Sequence, residues 1–84
     1  MGYCLITFRS VTWAQKAEAL IRRLGYRCVL RRTSRWMEAQ GCGYSLRVPA
    51  EYVSECVSRL RDNQISFQKV YQHNSLGEPE EMQL

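Results

Sequence analysis

The sequence predicts one small α+β domain with the element order β-α-β-β-α-β. Two stretches, around residues 13–24 and 52–60, place apolar side chains at the spacing of an amphipathic helix. Four shorter stretches are rich in β-branched and aromatic residues or alternate between apolar and polar residues, as strands do. The chain has 84 residues, 45% of them hydrophobic. A chain of this length has room for one modest core and not for two.

A strand and a helix are predicted first. Residues 3–8 (Tyr-Cys-Leu-Ile-Thr-Phe) favour a mostly buried strand. Ser10 or Thr12 can cap the helix that follows, and Thr12 with Gln15 resembles a capping box. Gly25 is the residue type expected just past a helix C-terminus. The first helix is therefore expected over about residues 11–24.

Alternation marks the second and third strands. In residues 26–32, Cys28 and Leu30 fall on one side of the chain while the residues between them fall on the other. In residues 44–48, apolar residues alternate with Ser45 and Arg47. The pattern lapses between these two stretches, so a loop is expected to join the strands.

The second helix and the last strand complete the order. Pro49 suits a helix start, and Asn63 is expected as its left-handed terminator. The apolar residues between positions 65 and 71 predict the fourth strand. Residues 73–84, which are acidic, are expected to form a disordered tail, so that the folded domain covers residues 1–72.

This order is that of the ferredoxin-like fold, in which a four-stranded antiparallel sheet carries two helices on one face. Because β-α-β crossovers are right-handed, the third strand is expected between the first and the second and antiparallel to both. The loop between the second and third strands then emerges at the sheet edge where the first strand ends and the first helix begins.

The charge is distributed unevenly along the chain. Residues 1–50 contain nine basic and two acidic side chains, whereas residues 51–84 contain three basic and six acidic ones, for a net charge of +4. A basic half of this kind attracts phosphate, nucleic acid, an acidic protein surface or a thiolate. No apolar run approaches the length of a membrane span and no basic-apolar leader begins the chain, so we expect a cytoplasmic protein.

Cys42 differs from the other three cysteines in its context. Cys4, Cys28 and Cys56 stand at positions where apolar residues are expected, as buried thiols do. Cys42 lies between Gly41 and Gly43, which permit positive φ and a close approach by another molecule. No C-x-x-C pair is present, so no metal or cofactor is expected.

The predicted topology brings positive charge toward Cys42. Arg32 and Arg35 precede it, and Ser10 and Thr12 mark the helix N-terminus at the same edge. Only a thiolate is nucleophilic, and a thiol of pKa about 8.5 is only about 3% ionised at pH 7. Lowering that pKa to about 7 would ionise about half of it. We therefore expect Cys42 to be a nucleophile with these residues in support.

Two segments of the chain resemble a known family. Residues 6–10 (Ile-Thr-Phe-Arg-Ser) ahead of an Ala-rich helix, and residues 41–48 (Gly-Cys-Gly-Tyr-Ser-Leu-Arg-Val), resemble the Se/S carrier protein-like family of small bacterial proteins. The resemblance covers about residues 3–71. Where the family often has a Thr-Pro or Pro-Arg pair ahead of its cysteine, this chain has Thr33-Ser34-Arg35.

The resemblance implies a carrier rather than an enzyme with turnover. Cys42, with Gly43 as its partner in the motif, would accept sulfane sulfur or reduced selenium from a donor enzyme as a persulfide or selenosulfide. It would then pass that atom to an acceptor protein. The single histidine, His73, lies at the start of the predicted tail, which does not favour Cys–His catalysis.

Two other functions remain open from the residues alone. A nucleic-acid-binding module would use Arg27, Arg31 and Arg47 on the open sheet face, with Trp36 to stack on a base, although an RNP1-type aromatic strand is missing. A protein-interaction domain would use the same residues and the open face to bind a partner or a second copy of the chain.

Overall fold

The computed structural model describes residues 2–32, 43–73 and 76–82. Within these residues the chain forms five strands, two α-helices and one 3-10 turn. In chain order they are β1 (Tyr3–Phe8), α1 (Val11–Arg23), β2 (Val29–Arg32), β3 (Tyr44–Pro49), the 3-10 turn Ala50–Tyr52, α2 (Val53–Asp62), β4 (Val70–His73) and β5 (Pro79–Glu81).

The strands form one antiparallel sheet in the order β2-β3-β1-β4-β5. The α+β class is confirmed, and β3 lies between β1 and β2 and antiparallel to both, as expected. The prediction of four strands is wrong, because β5 adds a fifth at the outer edge of β4. This strand lies within residues 73–84, where no strand was expected.

The core lies between the sheet and the helices. Alternate residues of β1, namely Cys4, Ile6 and Phe8, are fully buried, and they pair across the sheet with residues of β3 such as Leu46. Ile21 of α1 and the apolar stripe of α2 pack on this same cluster. Since strand residues of one parity point to one face, this alternation assigns the helices to that face.

The helix ends follow from local hydrogen bonds. The Ser10 hydroxyl accepts a hydrogen bond from Trp13 N at 3.3 Å, so Ser10 is the N-cap of α1, and Thr12 lies inside the helix. Gly25 has φ 93°, the left-handed conformation expected after a helix.

The predicted left-handed terminator of the second helix is wrong by one residue. Asn63 has φ −99°, and it is Gln64 that has φ 57°. The cause is the Asn63 side chain, whose Nδ2 donates to the carbonyl oxygen of Arg59 at 2.9 Å. That bond and the backbone bonds of Asn63 satisfy the end of α2, and the chain reverses one position later.

The last strand of the predicted fold begins later than expected, at Val70. Thr7 N donates to Lys69 O, while Thr7 O accepts from Gln68 N. The Thr7 hydroxyl also bonds both backbone groups of Lys69. Gln68 and Lys69 therefore both stand opposite Thr7, which is the arrangement of a β-bulge. Regular pairing between β1 and β4 starts beyond it, at Val70.

Candidate functional site

Four chain segments meet at one end of the sheet, which we call the α1 edge: the end of β1, the start of α1, the end of β2 and the start of β3. Gly43 N donates a hydrogen bond to Phe8 O at 3.0 Å. The next residue, Tyr44, pairs with both Phe8 and Arg32. Gly43, the residue after Cys42, is therefore held by backbone pairing to Phe8, which lies two residues before the N-cap of α1.

The structure brings together several of the residues expected at this site. Arg32 is exposed at the end of β2, with its guanidinium carbon 6.0 Å from the ring centroid of Tyr44. Ser10 caps α1, and Thr12 is exposed in its first turn. The Gly43 backbone lies beside Arg9, whose carbonyl oxygen would be 3.5 Å from a Cβ at Gly43. Gly41, Cys42 and Arg35, which were also expected here, lie outside the described residues. So does Trp36, which was predicted with the nucleic-acid- or partner-binding residues.

The α1 edge is electropositive. Helix α1 has 13 residues and no acidic side chain in its first turn, so its N-terminal partial charge is not neutralised by its own residues. Arg9 and Arg32 add two exposed cations. An anion at this edge would gain from both the helix terminus and the guanidinium groups, which are the two sources of attraction expected from the sequence.

The described cysteines are poor nucleophiles. Cys4 and Cys56 are fully buried and Cys28 is 6% exposed, as their apolar sequence positions predict. Burial raises the pKa of the Cys4 thiol and that of the Cys28 thiol, in the latter case against an opposing effect of Arg22. Burial, with smaller effects of Cys28 and Glu55, raises the pKa of the Cys56 thiol to about 11. All three thiols are therefore held in the unreactive protonated form at neutral pH.

The raised pKa of Cys56 predicts a loss of stability in alkaline solution. The thiol of an unfolded chain has a pKa near 8.5, below the folded value of about 11, so folding favours the protonated thiol. This contribution is complete below about pH 8.5 and is lost as the pH rises toward 11. We expect the free energy of unfolding to fall by up to about 3 kcal/mol from this group over that range.

Urea denaturation at several pH values checks this expectation. The Cys56→Ala variant starts from a lower stability because it loses buried volume, but its stability should fall less steeply between about pH 8.5 and 11. Identical slopes for the two proteins would show that the Cys56 thiol does not titrate abnormally.

Of the other predicted binding residues, Arg27 and Arg47 lie away from the α1 edge, whereas Arg31 precedes Arg32 directly on β2. Arg27, Arg31 and Arg47 are all exposed. The guanidinium carbon of Arg47 lies 3.6 Å from the ring centroid of Tyr3, which is itself 4.9 Å from the ring of His73. His73, which the sequence pattern assigned to the start of a tail, is the last residue of β4.

A pair of tyrosines near these arginines was also missed. The rings of Tyr26 and Tyr52 stack with centroids 4.6 Å apart and an interplanar angle of 20°. Tyr26 precedes β2 and Tyr52 ends the 3-10 turn, so the contact joins residues far apart in the chain. No local sequence pattern predicts such a pair, because the two tyrosines come together only when β2 and β3 lie side by side in the sheet.

The part of the chain that the structure describes has neither a metal-binding cluster nor a membrane-spanning helix. Residues 2–32, 43–73 and 76–82 hold no group of three or more His, Cys, Asp or Glu side chains arranged to bind a metal ion. None of the helices formed by these residues is long and apolar enough to cross a membrane.

Comparison with known proteins places the chain in a family. The model of the family described as "Putative Se/S carrier protein-like" matches residues 3–72. The match spans every element from β1 to most of β4 and includes the Cys42-Gly43 pair. No curated protein matches the chain, and no solved structure does. Since the family match covers most of the 84 residues, the chain belongs to the Se/S carrier protein-like family.

Proposed function

We propose that this protein is a chalcogen carrier that holds sulfane sulfur or reduced selenium on Cys42. The observation that supports this proposal most directly is the hydrogen bond from Gly43 N to Phe8 O, 3.0 Å long. It fixes the residue after Cys42 to the end of β1, next to the N-terminus of α1. Cys42 is bonded directly to this fixed residue, and consecutive Cα atoms are about 3.8 Å apart across a trans peptide.

The electrostatics of that edge are sufficient in magnitude to activate a thiol. Lowering a thiol pKa from about 8.5 to about 7 requires roughly 2 kcal/mol of preference for the anion. One guanidinium about 5 Å away supplies up to about 3 kcal/mol at an effective dielectric of about 20, and less where solvent screens it. A helix N-terminus adds about 0.3–1 kcal/mol. A thiolate within about 5 Å of Arg32 and close to the N-terminus of α1 would therefore gain the required preference over the neutral thiol.

We assign the carrier role to Cys42 because the other three thiols are buried. Cys4, Cys28 and Cys56 are between 0% and 6% exposed. A donor molecule could reach Cys4 or Cys56 only after local unfolding of the core, and Cys28 exposes only 6% of its surface, in the wall of a concavity. Their raised pKa values would also leave little thiolate for the attack.

The transfer step conserves electrons. The Cys42 thiolate attacks the outer chalcogen of a donor persulfide or selenosulfide, R–S–SH or R–S–SeH. The donor's S–S or S–Se bond breaks and its thiolate R–S⁻ leaves, while a new bond forms between Cys42 Sγ and the transferred atom. The acceptor protein reverses the process with its own nucleophile, so no external oxidant or reductant is consumed. A protein acting in this way is a carrier and not an enzyme with turnover.

The proposed partners are a donor enzyme and an acceptor protein. Because the α1 edge presents Arg9 and Arg32, we expect each partner to carry acidic side chains around its own chalcogen-binding group. A reducing cytoplasm suits this chemistry, since it keeps the four cysteines of the chain free to react or to remain buried as thiols.

Glutathione persulfide as a donor tests the proposal. After incubation and gel filtration, cyanolysis should release close to one sulfane sulfur per chain from the wild type. The Cys28→Ser variant should give the same yield, whereas Cys42→Ser should give none. Equal yields from wild type and Cys42→Ser would refute the carrier role of Cys42.

A further inference from the structure

A second candidate binding region lies at the end of the sheet opposite to the α1 edge. A concavity of about 610 Å³ opens between the start of β1, the end of β3 and the residues that precede β2. Its walls include Tyr3, Tyr26, Arg27, Arg47, Glu51 and Tyr52, and we call it the tyrosine groove. Along β1 the pair Tyr3–Pro49 is five residues from the pair Phe8–Tyr44, or about 17 Å at strand spacing.

The groove offers an aromatic platform. Tyr26 and Tyr52 are stacked at 4.6 Å, and Tyr52 is 41% exposed despite its size. An exposed, pre-stacked ring can extend its stack by one more aromatic group at little cost in side-chain entropy. Stacking of a base on an aromatic side chain is tolerant of base identity, because every base has a π-face.

The same groove offers unneutralised cations. Among the described residues, neither Arg27 nor Arg47 forms an ion pair with a carboxylate, and both are exposed. The stack of Arg47 on Tyr3, at 3.6 Å, holds the guanidinium plane in place while its N–H groups remain available at the edge. Planar guanidinium groups match phosphate oxygens bidentately.

The groove continues onto the open face of the sheet. A second concavity of about 270 Å³ shares Tyr3 and Arg47 with the groove and extends to Arg31, Arg32 and His73. Cations and aromatic rings are therefore interleaved over a surface longer than one small molecule. This composition fits a ligand that alternates anionic and aromatic groups, whereas a merely acidic partner would not need the rings.

We propose that the tyrosine groove binds a nucleotide, with its base stacked on the Tyr26–Tyr52 pair and its phosphate held by Arg27 and Arg47. A free mononucleotide and a nucleotide within single-stranded RNA share this chemistry. Because the pair Tyr3–Pro49 at the groove lies about 17 Å along the sheet from the pair Phe8–Tyr44, we expect nucleotide binding there not to require Cys42.

Fluorescence anisotropy with a short labelled oligouridylate RNA tests this assignment. Affinity should fall as salt rises from about 50 to 200 mM, because phosphate contacts release counterions. Tyr52→Leu should weaken binding by about 5- to 100-fold, and Tyr52→Phe should restore it. Arg47→Gln should weaken binding and reduce the salt slope by about 0.7 for each phosphate that the side chain no longer neutralises. Glu51→Gln should strengthen binding, since it removes an anion from the groove wall.

Matched controls separate this site from general charge and from Cys42. Arg59→Gln on α2 removes one exposed cation outside the groove and should leave the affinity unchanged. Cys42→Ser should bind as the wild type does, so that failure of the carrier proposal and failure of this one give different results. Unlabelled mononucleotide that displaces the RNA would identify a single-nucleotide site, and displacement by RNA alone would identify a strand-binding site.

Three results would overturn the assignment. The first is no detectable RNA or mononucleotide binding at low salt. The second is an equal loss of affinity in Arg47→Gln and Arg59→Gln, which would mean attraction by net charge. The third is displacement of the RNA by polyglutamate as effectively as by unlabelled RNA, which would indicate a surface for acidic proteins.

Discussion

At pH 7 and limiting iodoacetamide, Cys42 is expected to be alkylated at least about 100-fold faster than Cys56. Cys56 has a pKa raised to about 11, so only about 0.01% of it is thiolate at this pH. Even an ordinary thiol of pKa about 8.5 is about 3% thiolate, and activation by the α1 edge would increase that fraction. Burial of Cys56 slows its reaction further. Time-resolved mass spectrometry of the alkylated peptides gives the four rates separately.

The pH profile of this reaction reports the activation itself. The Cys42 rate should have a midpoint below the ordinary thiol value, and Arg32→Gln should shift that midpoint upward. Arg59→Gln, which changes the net charge equally but lies on α2, should not. An ordinary midpoint that Arg32→Gln leaves unchanged would mean that the α1 edge does not favour the thiolate. Uniform labelling of all four cysteines would contradict the buried positions of three of them.

Replacement of Phe8 by alanine is expected to lower the free energy of unfolding by about 3–5 kcal/mol. Phe8 is the largest of the fully buried side chains, and it lies at the last position of β1. Its removal leaves a cavity beneath the α1 edge. Native domains are stable by only about 5–15 kcal/mol, so the loss is a large share of the total.

Urea denaturation followed by far-UV circular dichroism measures this loss. Phe8→Leu keeps most of the buried volume and should cost clearly less than Phe8→Ala, which separates packing from any effect on the backbone. Tyr52→Leu serves as a second control, because it also removes an aromatic ring but at an exposed position, and it should change the free energy of unfolding little. A change below about 1 kcal/mol for Phe8→Ala would show that the core does not depend on this ring.

The sequence predicted those parts of the fold that depend on local pattern and on chain handedness. Helix α1 follows from its apolar periodicity, β1 from its run of β-forming residues, and the position of β3 from right-handed crossover. The same topology placed Arg32 and Ser10 at one edge with Gly43. The identity of Cys42 as the carrier residue stays a prediction.

The missed features arise from contacts between distant residues. Strand β5 consists of Pro79–Glu81, whose residue types do not favour a strand. It is held by Met82, which packs on the core with Sδ 3.7 Å from Cys4 Sγ, and by an ion pair between Lys69 and Glu81 at 3.5 Å. The bulge opposite Thr7 likewise depends on which residues face each other, and that is set only once β1 and β4 pair.

The most direct test of the carrier proposal is to locate the sulfur atom by mass spectrometry. Cleavage at arginine and lysine places each of the four cysteines on a different peptide, and Cys42 falls on residues 36–47. After incubation of the wild type with glutathione persulfide, we expect one added sulfur atom, found on that peptide and removed by a thiol reductant. An added sulfur on the peptide of Cys4, Cys28 or Cys56 instead, or none at all, would contradict the carrier role of Cys42.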